Sequence, residues 1–152
     1  MLKKKIIEIT ATWFYTGYSP VAPGTAGTVG AIVVYALLFS ELSPLFYSVV
    51  LVLLTVFAVY VSTIFAFEKG EDDPGCIVID EVAGYLVTMA FIPFSTKYII
   101  AGFLLFRFFD IVKPFPAGKL EKLPMGYGIV LDDIAAGIWS NIVLHFIIIF
   151  LV

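Results

Sequence analysis

Five carboxylates interrupt otherwise apolar stretches of this chain: Asp80 and Glu81 near the start of one, Asp110 near the end of another, Asp132 and Asp133 near the start of a third. An ionised side chain at a bilayer centre costs about 2.5–3.5 kcal/mol on insertion scales, so acids in such segments point to function rather than solubility. The helix dipole gives Asp80, Glu81, Asp132 and Asp133 a purely structural alternative, since acids are stabilised near helix N-termini. Three acidic sets at one membrane face favour chemistry over that alternative. Arg107, Asp110 and Lys113 recur every three residues, a spacing that keeps both cations beside the carboxylate on a helix.

If the three segment ends converge, the acids outnumber Arg107 and Lys113, and like charges at close range either raise a carboxyl pKa or recruit a cation. One cysteine, Cys76, and one histidine, His145, exclude a zinc centre built from several such ligands. Donors that are all oxygen favour Mg²⁺, which commonly takes one or two carboxylates, several waters and a substrate phosphate. The expected chemistry is metal-assisted work on a phosphate at a membrane face.

The loop Ser19-Pro-Val-Ala-Pro-Gly-Thr-Ala-Gly-Thr28 reads by itself as a plain capped turn, and beside the acids it offers a complementary anion site. Pro and Gly set an irregular turn, Thr25 can cap the helix that follows, and free backbone N–H groups there suit a phosphate. It has no P-loop lysine, which leaves nucleotide binding unsupported. Position 82, six residues after Cys76, is valine rather than the arginine of a cysteine-phosphatase loop. His145 lies near the chain end, away from the acids, which disfavours a Ser-His-Asp triad.

The elements that must position these groups read as membrane helices. Of 152 residues, 61% are hydrophobic and 14% charged, against roughly 45–50% and 25% in ordinary soluble domains. Residues 1–152 form one domain, with no repeat or linker. A net charge of −3 removes the field that draws proteins onto nucleic acid, so no nucleic-acid partner is expected. A span needs about 20 mainly apolar residues. Ser43 to Phe67, Cys76 to Phe94, Tyr98 to Val112 and Ile129 to Val152 approach or meet this, and Thr25 to Leu42 is marginal. The expected fold is therefore an all-α transmembrane bundle of about four to five spans.

Ile6 to Tyr18, with Trp13, Phe14, Tyr15 and Tyr18, reads as a short interfacial helix. Lys3-Lys4-Lys5 followed by Ile6-Ile7 resembles a signal-peptide start, but Glu8, Thr10 and Thr12 break the apolar run, so no cleavage is expected. With the N-terminus inside, only Lys97 among the lysines and arginines falls outside, which puts the charged helix ends on the cytoplasmic face. Two stripes, Asp80-Gly84-Thr88 and Asp133-Gly137-Asn141, carry glycines suited to close helix packing.

Four segments together resemble the phosphatidylglycerophosphatase A family of bacterial membrane lipid phosphatases. They are residues 19–28, Asp73-Pro-Gly75 with Ile77 to Gly84, Arg107 to Pro116, and Gly128 to Gly137, and they occur in the family's order across most of the chain. One departure is visible: Met125 precedes Gly126 where relatives often carry paired glycines. The resemblance implies Mg²⁺-dependent hydrolysis of phosphatidylglycerophosphate to phosphatidylglycerol and inorganic phosphate at the bacterial inner membrane, with the active site facing the cytoplasm. It implies catalytic roles for Asp80, Glu81, Asp110, Asp132 and Asp133, and phosphate binding by Thr25, Arg107 and Lys113. In the mechanism we expect, Asp80, Asp132 and Asp133 chiefly hold the metal and Glu81 or Asp110 activates water; an aspartyl-phosphate intermediate is the alternative. Two other readings have weaker support. A CDP-alcohol phosphatidyltransferase would carry a spaced Asp-Gly and Ala-Arg signature, and a small cation transporter would place its acids deeper along the helices.

Overall fold

Residues 2–151 are described by a computed structural model, and among them the fold is all-α, with no strand. Met1, the first residue of the expected 1–152 domain, and Val152, the last of the expected Ile129 to Val152 span, lie outside the described residues. Seven α-helices follow in order: α1 (Leu2–Ala11), α2 (Pro23–Val34), α3 (Pro44–Lys69), α4 (Ile79–Thr88), α5 (Thr96–Val112), α6 (Ala117–Leu120) and α7 (Gly126–Leu151). A π-helical turn, Tyr35–Phe39, extends α2, and a 3₁₀ turn, Thr16–Tyr18, precedes it.

The N-terminal helix is shorter than its aromatic residues suggest. It stops at Ala11, and Trp13, Phe14 and Tyr15 all take positive φ, which no right-handed helix accommodates. Thr12 and Thr16 offer the local alternative: their hydroxyls donate to Glu8 O at 2.8 Å and Trp13 O at 2.9 Å, and Thr12 Oγ1 accepts from the Tyr15 amide.

The longest helices have clear boundaries. Ser43 is extended, Pro44 begins α3 where its missing N–H costs nothing, and Gly70 ends it at φ 71° with its amide donating to Ala66 O. Among the described residues, α3 and α7 are the two helices long and apolar enough to cross a membrane. Only 28% of the most apolar stretch of α3 is buried within the protein, unlike the core helix of a soluble domain. Its outer face presents Leu45, Phe46, Val49, Val52, Leu53 and Val56.

The segment Cys76 to Phe94 differs from the span expected of it. Only Ile79–Thr88 is helical, about 15 Å long at 1.5 Å per residue, against a hydrocarbon core of about 30 Å. This helix is instead the buried centre of the bundle, packed by α2, α3, α5 and α7, with Val82, Tyr85 and Leu86 fully enclosed. Asn141 of α7 explains where it stops: its Nδ2 donates to Thr88 O and Ala90 O, both at 2.9 Å, and so serves carbonyls that the helix end leaves open. Tyr47 and Tyr85 serve similar ends in the apolar interior, donating to Leu86 O at 2.6 Å and Ile99 O at 3.1 Å.

The α4–α7 crossing is set by the two glycines of the striped pattern. A Cβ on Gly84 would fall 2.7 Å from Asp133 O and 2.6 Å from the Phe106 ring, and one on Gly137 would overlap Gly84 O. No larger residue allows the backbones to come this close. One turn before each glycine stand Asp80 and Asp133, so the crossing that buries Gly84 against Gly137 also brings these two carboxylates together.

Candidate active site

Four helices, α2, α4, α5 and α7, contribute to one acidic focus. Asp80 and Glu81 occupy the first turn of α4, and Asp133 lies two turns into α7. One carboxylate oxygen from each of these three residues lies within 4.8 Å of the others. Asp80 and Asp133 are 9% and 4% exposed. Asp80 Oδ1, Glu81 Oε2 and Asp133 Oδ2 are enclosed and have no hydrogen-bond partner. Carboxylate oxygens removed from water without partners are costly, and a cation among them removes that cost. Hard, unpartnered oxygens at this spacing, with no sulfur or imidazole among them, fit a hard divalent cation.

Beside the trio, the last turns of α5 supply a cation. Arg107 Nη1 lies 2.7 Å from Asp110 Oδ2 and 3.8 Å from Glu81 Oε1. The Nη1 group is paired by distance only, since none of its N–H bonds is aligned for a hydrogen bond. The start of α2 reaches the same place: a Cβ on Gly24 would overlap Glu81 Oε1 and come within 3.0 Å of Arg107 Nη1. Glycine here lets a helix N-terminus touch the acid and the guanidinium at once. The first helical amide bond of α2 is Ala26 N–H to Ala22 O, so helix geometry leaves the Gly24 and Thr25 amides without a partner inside the helix. Thr25 is half-buried in that first turn, and among the described residues its hydroxyl makes no hydrogen bond. An arginine with spare donors beside an open helix N-terminus suits a phosphate.

Asp132 goes elsewhere. Successive helical residues point about 100° apart, and Asp132 Oδ2 accepts from Lys113 Nζ at 2.8 Å while its Oδ1 accepts from the Asp133 amide at 2.9 Å. Lys113 also lies 3.2 Å from Glu121 Oε2. Burial pushes the Lys113 ammonium pKa down, but its bonds to Asp132 and Glu121 outweigh that and leave it above the ordinary lysine value. The metal set expected from sequence, Asp80, Asp132 and Asp133, therefore differs from the trio by one member: Glu81 stands where Asp132 was expected. Lys113, expected on phosphate, sits between two carboxylates. Glu121 escaped the sequence reading because an exposed acid between Lys119 and Lys122 has no distinguishing pattern.

The family model described as phosphatidylglycerophosphatase A matches residues 9–148. The chain belongs to that family. Phosphatidylglycerophosphatase A of Haemophilus influenzae is 37% identical over 139 residues, covering 90% of this chain and 85% of its own. Phosphatidylglycerophosphatase A of Escherichia coli K12 is 36% identical over 142 residues, covering 92% and 82%. A protein of Bacteroides thetaiotaomicron, provisionally named a phosphatidylinositol-3-phosphatase, is 37% identical over 146 residues, covering 90% and 89%. No solved structure matches the chain. All four segments that carry the phosphatidylglycerophosphatase A resemblance, and with them every acid of the focus, fall inside the matched range.

Proposed function

We propose that this protein is a Mg²⁺-dependent lipid phosphatase that converts phosphatidylglycerophosphate to phosphatidylglycerol and inorganic phosphate, working at the cytoplasmic face of a bacterial inner membrane. The observation that carries this reading is the trio of unpartnered carboxylates beside Arg107 and the open end of α2, in a member of this family. α3 and α7 cross the bilayer, and α2 and α5 complete a multi-pass bundle around the short α4. The inside orientation rests on the lysines: Lys69, Lys113, Lys119 and Lys122 flank the acidic end, and Lys97 lies at the opposite end of α5.

Asp80, Glu81 and Asp133 would hold the metal. Bound there, Mg²⁺ supplies positive charge next to the phosphate and so offsets the repulsion between an anionic substrate and an acidic site. Arg107 and the Gly24 and Thr25 amides bind the phosphate oxygens and favour the charge that develops on them during transfer. Asp110 holds the guanidinium in place through its 2.7 Å contact. Water forms the new bond to phosphorus and gives its proton to the Asp110 carboxylate, which lies beside the trio. The bond from phosphorus to the lipid oxygen breaks, and that oxygen leaves as an alcohol after taking back the proton held by the carboxylate, directly or through water.

The Bacteroides relative's name favours a second substrate, phosphatidylinositol 3-phosphate, which presents the same lipid-linked phosphomonoester. The test is phosphate release by the purified protein in detergent from phosphatidylglycerophosphate, phosphatidylinositol 3-phosphate, phosphatidic acid and a soluble phosphomonoester, each with Mg²⁺ or a chelator. We expect fastest release from phosphatidylglycerophosphate and none with chelator. Preference for the inositol lipid would select the second reading, and no release from any lipid would overturn both.

A further inference from the structure

α4 and α7 run side by side in the same direction, and their facing residues keep step. Asp80, Gly84 and Thr88 of α4 meet Asp133, Gly137 and Asn141 of α7, each series advancing four residues at a time. Asp80 and Asp133 share the acidic trio, a Cβ on Gly137 would overlap the Gly84 carbonyl, and Asn141 Nδ2 donates to Thr88 O and Ala90 O at 2.9 Å each. At 1.5 Å per residue the acids and the asparagine stand about 12 Å apart along the helices, with the glycine contact midway.

Glycine against glycine is a smooth contact. It lets two backbones come close, but it has no direction of its own, so it leaves the helices free to slide or swing about that point. Among the described residues, the bonds from Asn141 are the two hydrogen bonds that join α4 and the turn after it to α7. The other ties of α4 lead elsewhere: Val78 N–H to Ala11 O ahead of its first turn, Tyr47 of α3 to Leu86 O, and Tyr85 to Ile99 O of α5. None of these fixes it against α7.

We propose that Asn141 is a positioning residue for the metal site, locking the register of α4 against α7 so that Asp80 and Glu81 meet Asp133. The inference rests on the metal assignment above. An asparagine amide has two N–H donors, and here they serve carbonyls two residues apart, which fixes position along α4 as well as distance from it. A single asparagine between packed helices is an attested way to set their register. The lever is even as well. Gly84 lies four residues from both Asp80 and Thr88, about 6 Å either way, so a swing that moves Thr88 by about 1 Å moves Asp80 by as much in the opposite sense. Mg²⁺ demands near-octahedral oxygens at about 2.0–2.1 Å and tolerates such a shift poorly.

The experiment separates register from plain stability. Asn141→Leu keeps the approximate size and loses both donors, whereas Tyr47→Phe removes a bond to the same end of α4 that comes from α3 instead. Each full-length protein is purified in detergent, its unfolding midpoint is measured without metal, and Mn²⁺ affinity is read by electron paramagnetic resonance well below that midpoint. We expect Mn²⁺ affinity to fall about tenfold or more in Asn141→Leu, in the range known for residues that orient metal ligands, and to stay within about twofold in Tyr47→Phe. Wild-type affinity in Asn141→Leu, whatever its midpoint, would make the residue structural only and overturn the proposal, as would an equal fall in Tyr47→Phe. If Asn141→Leu does not fold, Asn141→Ser, too short to reach both carbonyls, carries the same expectation and the same refutation. Wild-type protein that binds no Mn²⁺ would remove the metal assignment itself and this inference with it.

Discussion

Asp80-Glu81 and Asp132-Asp133 look alike in sequence, adjacent acids near the start of apolar stretches, yet the fold uses them differently. On α4 both members face the same focus, because a helix start surrounded by α2, α5 and α7 has acceptors and cations on more than one side. On α7 the pair is split: Asp133 joins the trio and Asp132 turns to Lys113. Both regions bury their acids, but the trio is short of partners while Asp132 is fully paired, its neighbours Lys113 and Glu121 being the partly exposed groups. Adjacency in sequence therefore says little about shared duty on a helix, and the surroundings decide.

That contrast orders the effects of substitution. Asp133→Asn should reduce phosphate release more than about 100-fold, beyond the 10–100-fold usual for groups that only support a metal ligand. A milder loss would place Asp133 outside the site's working centre. Gly137→Ala should come next, because its methyl would meet the Gly84 carbonyl and force the helices apart. We expect a loss of about 1–3 kcal/mol, seen as a lower midpoint for thermal unfolding in detergent. A stability equal to wild type would mean the crossing does not depend on backbone proximity.

Asp132→Asn should cost about tenfold in rate with the protein still folded, since it removes the charge that pairs with Lys113 and leaves one acceptor oxygen where Lys113 and the Asp133 amide each used one, without touching a member of the trio. A loss as large as that of Asp133→Asn would erase the distinction between the two regions. The smallest effect belongs to Glu121→Gln. Its side chain is 49% exposed and its 3.2 Å pairing with Lys113 is open to water, so stability should change by less than about 1 kcal/mol and activity by less than about threefold. A larger fall in activity would show that the loop around Glu121 takes part in the reaction.

Much of the arrangement was legible in the sequence because few residue types tolerate an apolar helix. Acids at positions 80, 81, 110, 132 and 133 stand out against their surroundings, and the glycines at 84 and 137 mark a close crossing by their spacing. The long helix α3 follows from an apolar run with no charge over residues 43–67, and α7 from a run broken by charge only at Asp132 and Asp133. Cys76 to Phe94 misled for a physical reason: a helix buried on all sides by protein is as apolar as one facing lipid, so hydropathy cannot tell a ten-residue central helix from part of a span. The aromatic run Trp13 to Tyr18 misled in the opposite way, because the threonine hydroxyls beside it stabilise turns that composition does not reveal. The exchange of Glu81 for Asp132 in the trio depends on helix rotation against three neighbours, which only the assembled bundle fixes.

The most direct measurement is binding of Mn²⁺, a paramagnetic stand-in for Mg²⁺, followed by electron paramagnetic resonance on purified wild-type protein and on Asp80→Asn, Asp133→Asn and Asp132→Asn. We predict that binding is lost or strongly weakened in the first two variants and retained in Asp132→Asn. Equal weakening in all three, or binding untouched by Asp80→Asn and Asp133→Asn, would contradict the assignment of the metal to the buried trio.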